Sequence, residues 1–139
     1  MAYPCGWLQV KFVYTGIRVR DLERSVKFYT ETMEMMEVRR GTMRDGGVWV
    51  QLKSKDSEQR LELNYYPPGK KYCEEYVEGS ELDHLAFLCD DVQASYIKVL
   101  AGGGISAIEP WDEGDSTLAF VRDPDGVWIE LEGKKIKPK

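Results

Sequence analysis

The chain repeats itself, and this restricts the folds open to it more than any other feature. An offset of 70 residues sets Asp21 on Asp91 and Tyr14 on His84. An offset of 68 sets Arg60-Leu61-Glu62-Leu63 on Trp128-Ile129-Glu130-Leu131, Val50 on Leu118 and Leu52 on Phe120. Landmarks at nearly one offset favour duplication over a coincidence between two αβ units. Each half reads as a strand (about 11–19 and 82–89) and a helix (about 22–33 and 91–101). Three strands follow, near 36–41, 47–54 and 59–66 in the first half and near 106–109, 116–122 and 127–132 in the second.

Local signals support these elements. Asp21 and either Asp90 or Asp91 are candidate N-caps. Leu22, Val26, Tyr29 and Met33 recur at helical spacing, as do Val92, Tyr96 and Val99. Gly102-Gly103-Gly104 ends the second helix, and Asp123-Pro124-Asp125-Gly126 is a turn joining the last two strands. The unit is βαβββ, used twice. Neither copy is expected to be stable alone, because each sheet must bury one face. The expected organisation is one α+β domain over 1–139, with module one at about 10–67, module two at about 80–133 and a flexible basic tail at 134–139.

Side chains alternate along a strand, so parity assigns faces. Ile17, Val19, Leu61, Leu63, Leu85, Phe87, Cys89, Ile129 and Leu131 take the helix side. Tyr14, Arg18, Glu62, Asn64, His84, Trp128 and Glu130 then share the opposite face. The same parity adds Trp49, Gln51, Ala86, Leu88, Ala119 and Val121 to that face. The mixture suits a concave, partly apolar pocket for a small molecule. His84 alone would read as an ordinary structural histidine, and either glutamate alone as a solvated strand residue. The repeat makes Glu62 and Glu130 equivalent and sets Tyr14 opposite His84. Two carboxylates sharing a pocket need a cation, or one of them must be protonated. Imidazole and carboxylate ligands suit a divalent ion such as Zn, Ni, Co, Mn or Fe(II).

Composition narrows the class of partner. Hydrophobic residues make up 42% and charged residues 31%, which suits a soluble domain. A net charge of -5 argues against nucleic acid. No apolar run approaches the roughly 18 residues of a membrane span. The start, Met1-Ala2-Tyr3-Pro4-Cys5, does not read as a secretory signal. Cys5, Cys73 and Cys89 are odd in number and form no Cys-x-x-Cys pair, so a reducing, cytoplasmic setting is expected.

Four stretches carry a resemblance: Gly16 to Tyr29, Leu61-Glu62-Leu63-Asn64-Tyr65, Asp83-His84-Leu85-Ala86-Phe87, and Ala119 to Leu131 with its Asp123-Pro124-Asp125-Gly126 turn. Together they resemble the vicinal-oxygen-chelate superfamily (glyoxalase I, bleomycin-resistance and dioxygenase proteins), and most closely the glyoxalase I branch. The resemblance implies paired βαβββ units forming a U-shaped, barrel-like mixed sheet around one divalent metal ion. It implies a homodimer with sites built between subunits. Glyoxalase I carries ligands in the order His, Glu, His, Glu. Glu62, His84 and Glu130 match the last three, and Tyr14 stands in place of the first. A phenol with a pKa near 10 is a poor ligand at neutral pH. The implied chemistry is a lyase or isomerase reaction through an enediolate, on a small 2-oxo or hemithioacetal substrate, with Glu130 as base and Glu62 as the second candidate. Arg18 matches an arginine that contacts the glutathione carboxylate; a surface ion pair is the other reading of it. Tyr66 replaces an asparagine that contacts glutathione.

The resemblance leaves three other functions open. One is an epimerase of the methylmalonyl-CoA type. Another is a non-catalytic binding protein of the bleomycin-resistance kind, which Trp49, Trp111 and Trp128 would suit. An extradiol dioxygenase fits least, since its iron triad needs a histidine where Tyr14 stands.

Overall fold

A computed structural model describes residues 9–124 and 126–138. Cys5, the Met1 to Cys5 start, Asp125 of the turn and Lys139 of the tail lie outside the described residues. The chain divides into two compact units, Tyr14–Asp83 and a second formed by residues 9–13 with the described residues from His84 onward. The linker of 67–80 belongs to the first. The fold is α+β and uses the βαβββ unit twice.

The Tyr14–Asp83 unit holds most of β1 (Val10–Arg18), α1 (Leu22–Lys27), β2 (Met36–Thr42), β3 (Val48–Lys53) and β4 (Arg60–Tyr65). Its strands run in the order β2-β3-β4-β1, with β1 parallel to β4 and the other pairs antiparallel. Leu22 and Val26 of α1 pack on Val50, Leu52 and Leu63, with Ile17, Val19 and Leu61 at the margin. Parity along β1 and β4 therefore reads correctly.

Asp21 caps α1 by accepting the Arg24 N–H at 3.1 Å. The helix expected over 22–33 is α-helical only to Lys27, and a π-helical turn takes Phe28–Thr32. The wider turn shifts the row that Leu22 and Val26 begin. Met33, expected on the buried row, is 54% exposed.

The second unit holds β5 (Leu82–Cys89) from His84 onward, α2 (Val92–Ala101), β6 (Ile105–Glu113), β7 (Ser116–Arg122) and β8 (Trp128–Lys134). The order is β5-β8-β7-β6, with β5 parallel to β8. Asp91 is the cap of α2 and accepts from Ala94 N–H at 2.9 Å, so the offset of 70 pairs two true caps. Val92 and Tyr96 pack on Cys89, Ala119, Val121 and Leu131, and Phe87, Val99 and Ile129 border the cluster.

Two expectations need correction here. Ala119 and Val121 do not face away from the helix. They lie opposite Leu131 and Ile129 across β7 and β8, inside the core. The residue facing Glu130 across the ladder is Phe120. The true equivalence on β7 sets Val50 on Ala119 and Leu52 on Val121, one residue from the 68-residue offset. A shift of one residue reverses every face of a strand. The second correction concerns β6. It is longer than the expected 106–109, because it continues through Pro110 with register shifts on either side of Ile108. It lies at the end of its unit's strand order, where a proline is tolerated. At the far end, β8 runs into the expected tail at Lys134. Lys135 donates its N–H to Asp115 carbonyl at 2.8 Å and pairs with Asp112 at 3.0 Å.

Candidate metal and substrate site

The second unit brings His84 and Glu130 together. Their strands are parallel neighbours, with Ala86 level with Glu130. Both side chains are buried, and His84 Nε2 stands 3.1 Å from Glu130 Oε2. The aromatic neighbours come from β6, β7 and β8 itself. Phe120 presents an edge contact to His84, with centroids 5.9 Å apart. Trp111 stacks on Phe120 at 6.1 Å, and Trp128 meets it at 5.9 Å. The Arg122 guanidinium lies 4.6 Å over Trp128. Leu88, expected on this face, is exposed. Phe120 escaped sequence reasoning because Leu118-Ala119-Phe120-Val121 is apolar on both faces.

In the Tyr14–Asp83 unit, Glu62 is buried and accepts a hydrogen bond from Gln51 Nε2 at 2.8 Å. Gln51 Oε1 in turn accepts from Arg39 Nε at 3.0 Å and from an Arg60 guanidinium nitrogen at 3.3 Å. Trp49 lies beside this chain of contacts, with the Arg39 guanidinium 5.4 Å from its ring centroid. A Cβ on Gly41 would stand 2.5 Å from that ring, so glycine is what admits the indole. Tyr14 is also buried, one strand away, level with Arg60.

Asn64 shares the Glu62 face of β4 and is wholly buried, and neither end of its amide has a hydrogen-bond partner among the described residues. Buried amides left so are rare, and a bound ligand or ordered water ordinarily explains them. Tyr66 donates its hydroxyl to Asp83 Oδ2 at 2.8 Å. Burial, and then the Asp83 charge, raise the Tyr66 phenol far above the ordinary tyrosine range. Arg18 is engaged by the linker: it donates to Ser80 carbonyl at 2.6 Å and pairs with Glu74 at 3.6 Å.

These donors can be tested against a divalent ion. Adjacent ligands, each about 2.0–2.2 Å from one metal, stand roughly 3 Å apart. The His84–Glu130 separation of 3.1 Å is of that size, and imidazole with carboxylate is a suitable donor set. Among the described residues, no three His, Cys, Asp or Glu side chains are grouped as a ready metal site. The chemistry of the pair fits the ion; the grouping of a third ligand is not part of the described geometry.

Comparison with known proteins decides the family. The sequence model of the Glyoxalase/Bleomycin resistance protein/Dioxygenase superfamily matches residues 11–131. The chain belongs to this superfamily. Within it, the chain is 35% identical over 126 residues to a Vibrio parahaemolyticus protein named "Probable lactoylglutathione lyase", covering 87% of this chain and 88% of the relative. It is 31% identical over 134 residues to the lactoylglutathione lyase of Haemophilus influenzae, covering 92% and 96%. Among solved structures, the fold is shared with a methylmalonyl-CoA epimerase from Mycobacterium tuberculosis. The TM-score there is 0.69 at 19% identity, over 91% of this chain and 89% of that one. A hypothetical protein from Bacillus halodurans gives a TM-score of 0.71 at 19% identity, over 94% and 99%. These two show the superfamily fold alone.

Proposed function

We propose that this superfamily member is a divalent-metal-dependent, glyoxalase I-like lyase or isomerase acting on a small 2-oxo or hemithioacetal substrate. The observation that carries the reading is the buried His84–Glu130 pair, at ligand-like separation on a strand face that also presents aromatic rings. His84, Glu130 and Glu62 are the proposed ligands, with Tyr14 as the fourth, weaker member taken from the resemblance. A divalent ion would supply Lewis-acid polarisation of the substrate's vicinal oxygens.

The protein's own residues supply the rest. Glu130 accepts the proton from the carbon bearing the substrate hydroxyl, and an enediolate results. The same carboxyl returns the proton to the neighbouring carbon, and the hydroxyl proton passes to the neighbouring oxygen as the first carbon becomes the thioester carbonyl, so a hemithioacetal becomes a 2-hydroxy thioester with no net gain or loss of atoms. The apolar wall of Phe120 and Trp128 keeps water from that proton while it is held. Arg18, Trp49, Asn64 and Trp128 are the proposed substrate contacts. Asn64 is the strongest of these because its buried amide has no hydrogen-bond partner among the described residues. The protein acts as a cytoplasmic homodimer in this reading, as the resemblance implies. Among the described residues, no helix is long and apolar enough to cross a membrane.

The test is a hemithioacetal assay. Protein loaded in turn with Zn, Ni, Co and Mn is offered methylglyoxal with several thiols, glutathione among them, and thioester formation is followed. The reading expects turnover with at least one metal and thiol, abolished by Glu130→Gln. No turnover with any combination counts against it.

A further inference from the structure

The two glutamates are equivalent in the repeat but not in their surroundings. On β3 and β4, Gln51 lies directly opposite Glu62; on β7 and β8, Phe120 lies directly opposite Glu130. The position across the ladder from one glutamate is therefore an amide, and from the other a phenyl ring. Gln51 is 1% exposed, and both ends of its amide are used.

The amide can be placed only one way round. Reversed, its NH2 would face two guanidinium donors and its oxygen would face the Glu62 carboxylate. Two cationic donors on the oxygen also polarise the amide and strengthen its N–H groups as donors. Arg39 is itself seated on Trp49, and Gly41 makes the room for that ring.

We propose that Gln51 is a positioning residue: held at its oxygen by Arg39 and Arg60, it fixes the orientation of Glu62. The two arginines act on Glu62 through Gln51. The functional side of the proposal rests on Glu62 being a metal ligand. Partners of this kind, one step out from a ligand, typically govern metal affinity by 10–100-fold.

The test uses the full chain with two readouts. The first is metal-free: the side-chain carboxyl 13C resonance of Glu62 in glutamate-labelled protein, with Glu130 as internal control. Gln51→Leu should shift the Glu62 resonance and leave that of Glu130 in place, with the chain still folded by circular dichroism. The second is the Ni2+ dissociation constant by competition with a chromophoric chelator. Gln51→Leu should weaken binding about 10–100-fold. Arg39→Met should weaken it less, and should add nothing in the Gln51→Leu background.

An unmoved Glu62 resonance in Gln51→Leu overturns the proposal, whatever the metal does. Full additivity of Arg39→Met and Gln51→Leu overturns the relay through Gln51. Failure of the unaltered protein to bind Ni2+ counts against the metal reading alone, and the carboxyl resonance then decides the role of Gln51.

Discussion

At the scale of single residues, the His84–Glu130 contact does the most to constrain function. His84→Ala should abolish metal retention, because imidazole is the only nitrogen donor of its kind in the sequence. Tyr14→Phe should weaken retention only modestly, since a phenol competes poorly for a divalent ion at neutral pH. Equal damage from the two, read by metal content after dialysis, would promote Tyr14 to a full ligand.

Tyr66 gives a pH prediction. Its phenol stays protonated in the folded chain well past pH 10, because of burial and then the Asp83 charge. The unfolded chain loses that proton near pH 10. Above pH 10 the folded state therefore holds more protons than the unfolded one, and stability falls as pH rises. Tyr66→Phe should lose less stability between pH 9 and about 11 than the parent, in urea melts at fixed temperature.

Residue types of this sort were legible where polarity changes along a strand. Leu61-Glu62-Leu63-Asn64 has one buried apolar side and one polar side, so its faces could be read directly. The role of Gln51 was not legible, because a hydrogen bond to a carboxylate on the next strand leaves no local pattern.

At the scale of elements, the caps are the clearest success of sequence reasoning, and β7 is the clearest failure. Asp21 and Asp91 both accept from the N–H three residues on, so either Asp→Ala change should cost about 1 kcal/mol. The cost should be seen in chemical denaturation without a change in metal affinity. In β7, the run Leu118-Ala119-Phe120-Val121 offers no contrast between faces. Register is fixed there by Ala119 against Leu131 and Phe120 against Glu130, pairings that exist only across the ladder. The π-helical turn after Lys27 was hidden for a related reason. Leu22, Val26, Tyr29 and Met33 keep helical spacing in sequence, but the wider turn leaves Met33 outside. Pro110 concealed the length of β6, since a proline lowers the strand signal without ending an edge strand.

At the scale of the whole molecule, duplication, fold class and superfamily were all readable, because they rest on motifs spread along the chain. Reaction and metal are not, since Tyr14 and Tyr66 both replace residues that the glyoxalase I pattern relies on. Assembly belongs at this scale too. Sedimentation equilibrium should give twice the mass of one chain; a monomer at micromolar concentration would remove the homodimer from the account.

The proposed function depends most on a divalent ion held by His84 and Glu130 with Glu62. Elemental analysis of the purified protein, paired with thermal melts before and after chelation, tests this directly. The proposed function predicts a stoichiometric divalent ion and a melting temperature that falls on chelation and recovers on metal return, as binding to the folded state alone requires. It also predicts that His84→Ala loses both. No stoichiometric metal, together with no metal-dependent gain in thermal stability, would contradict it.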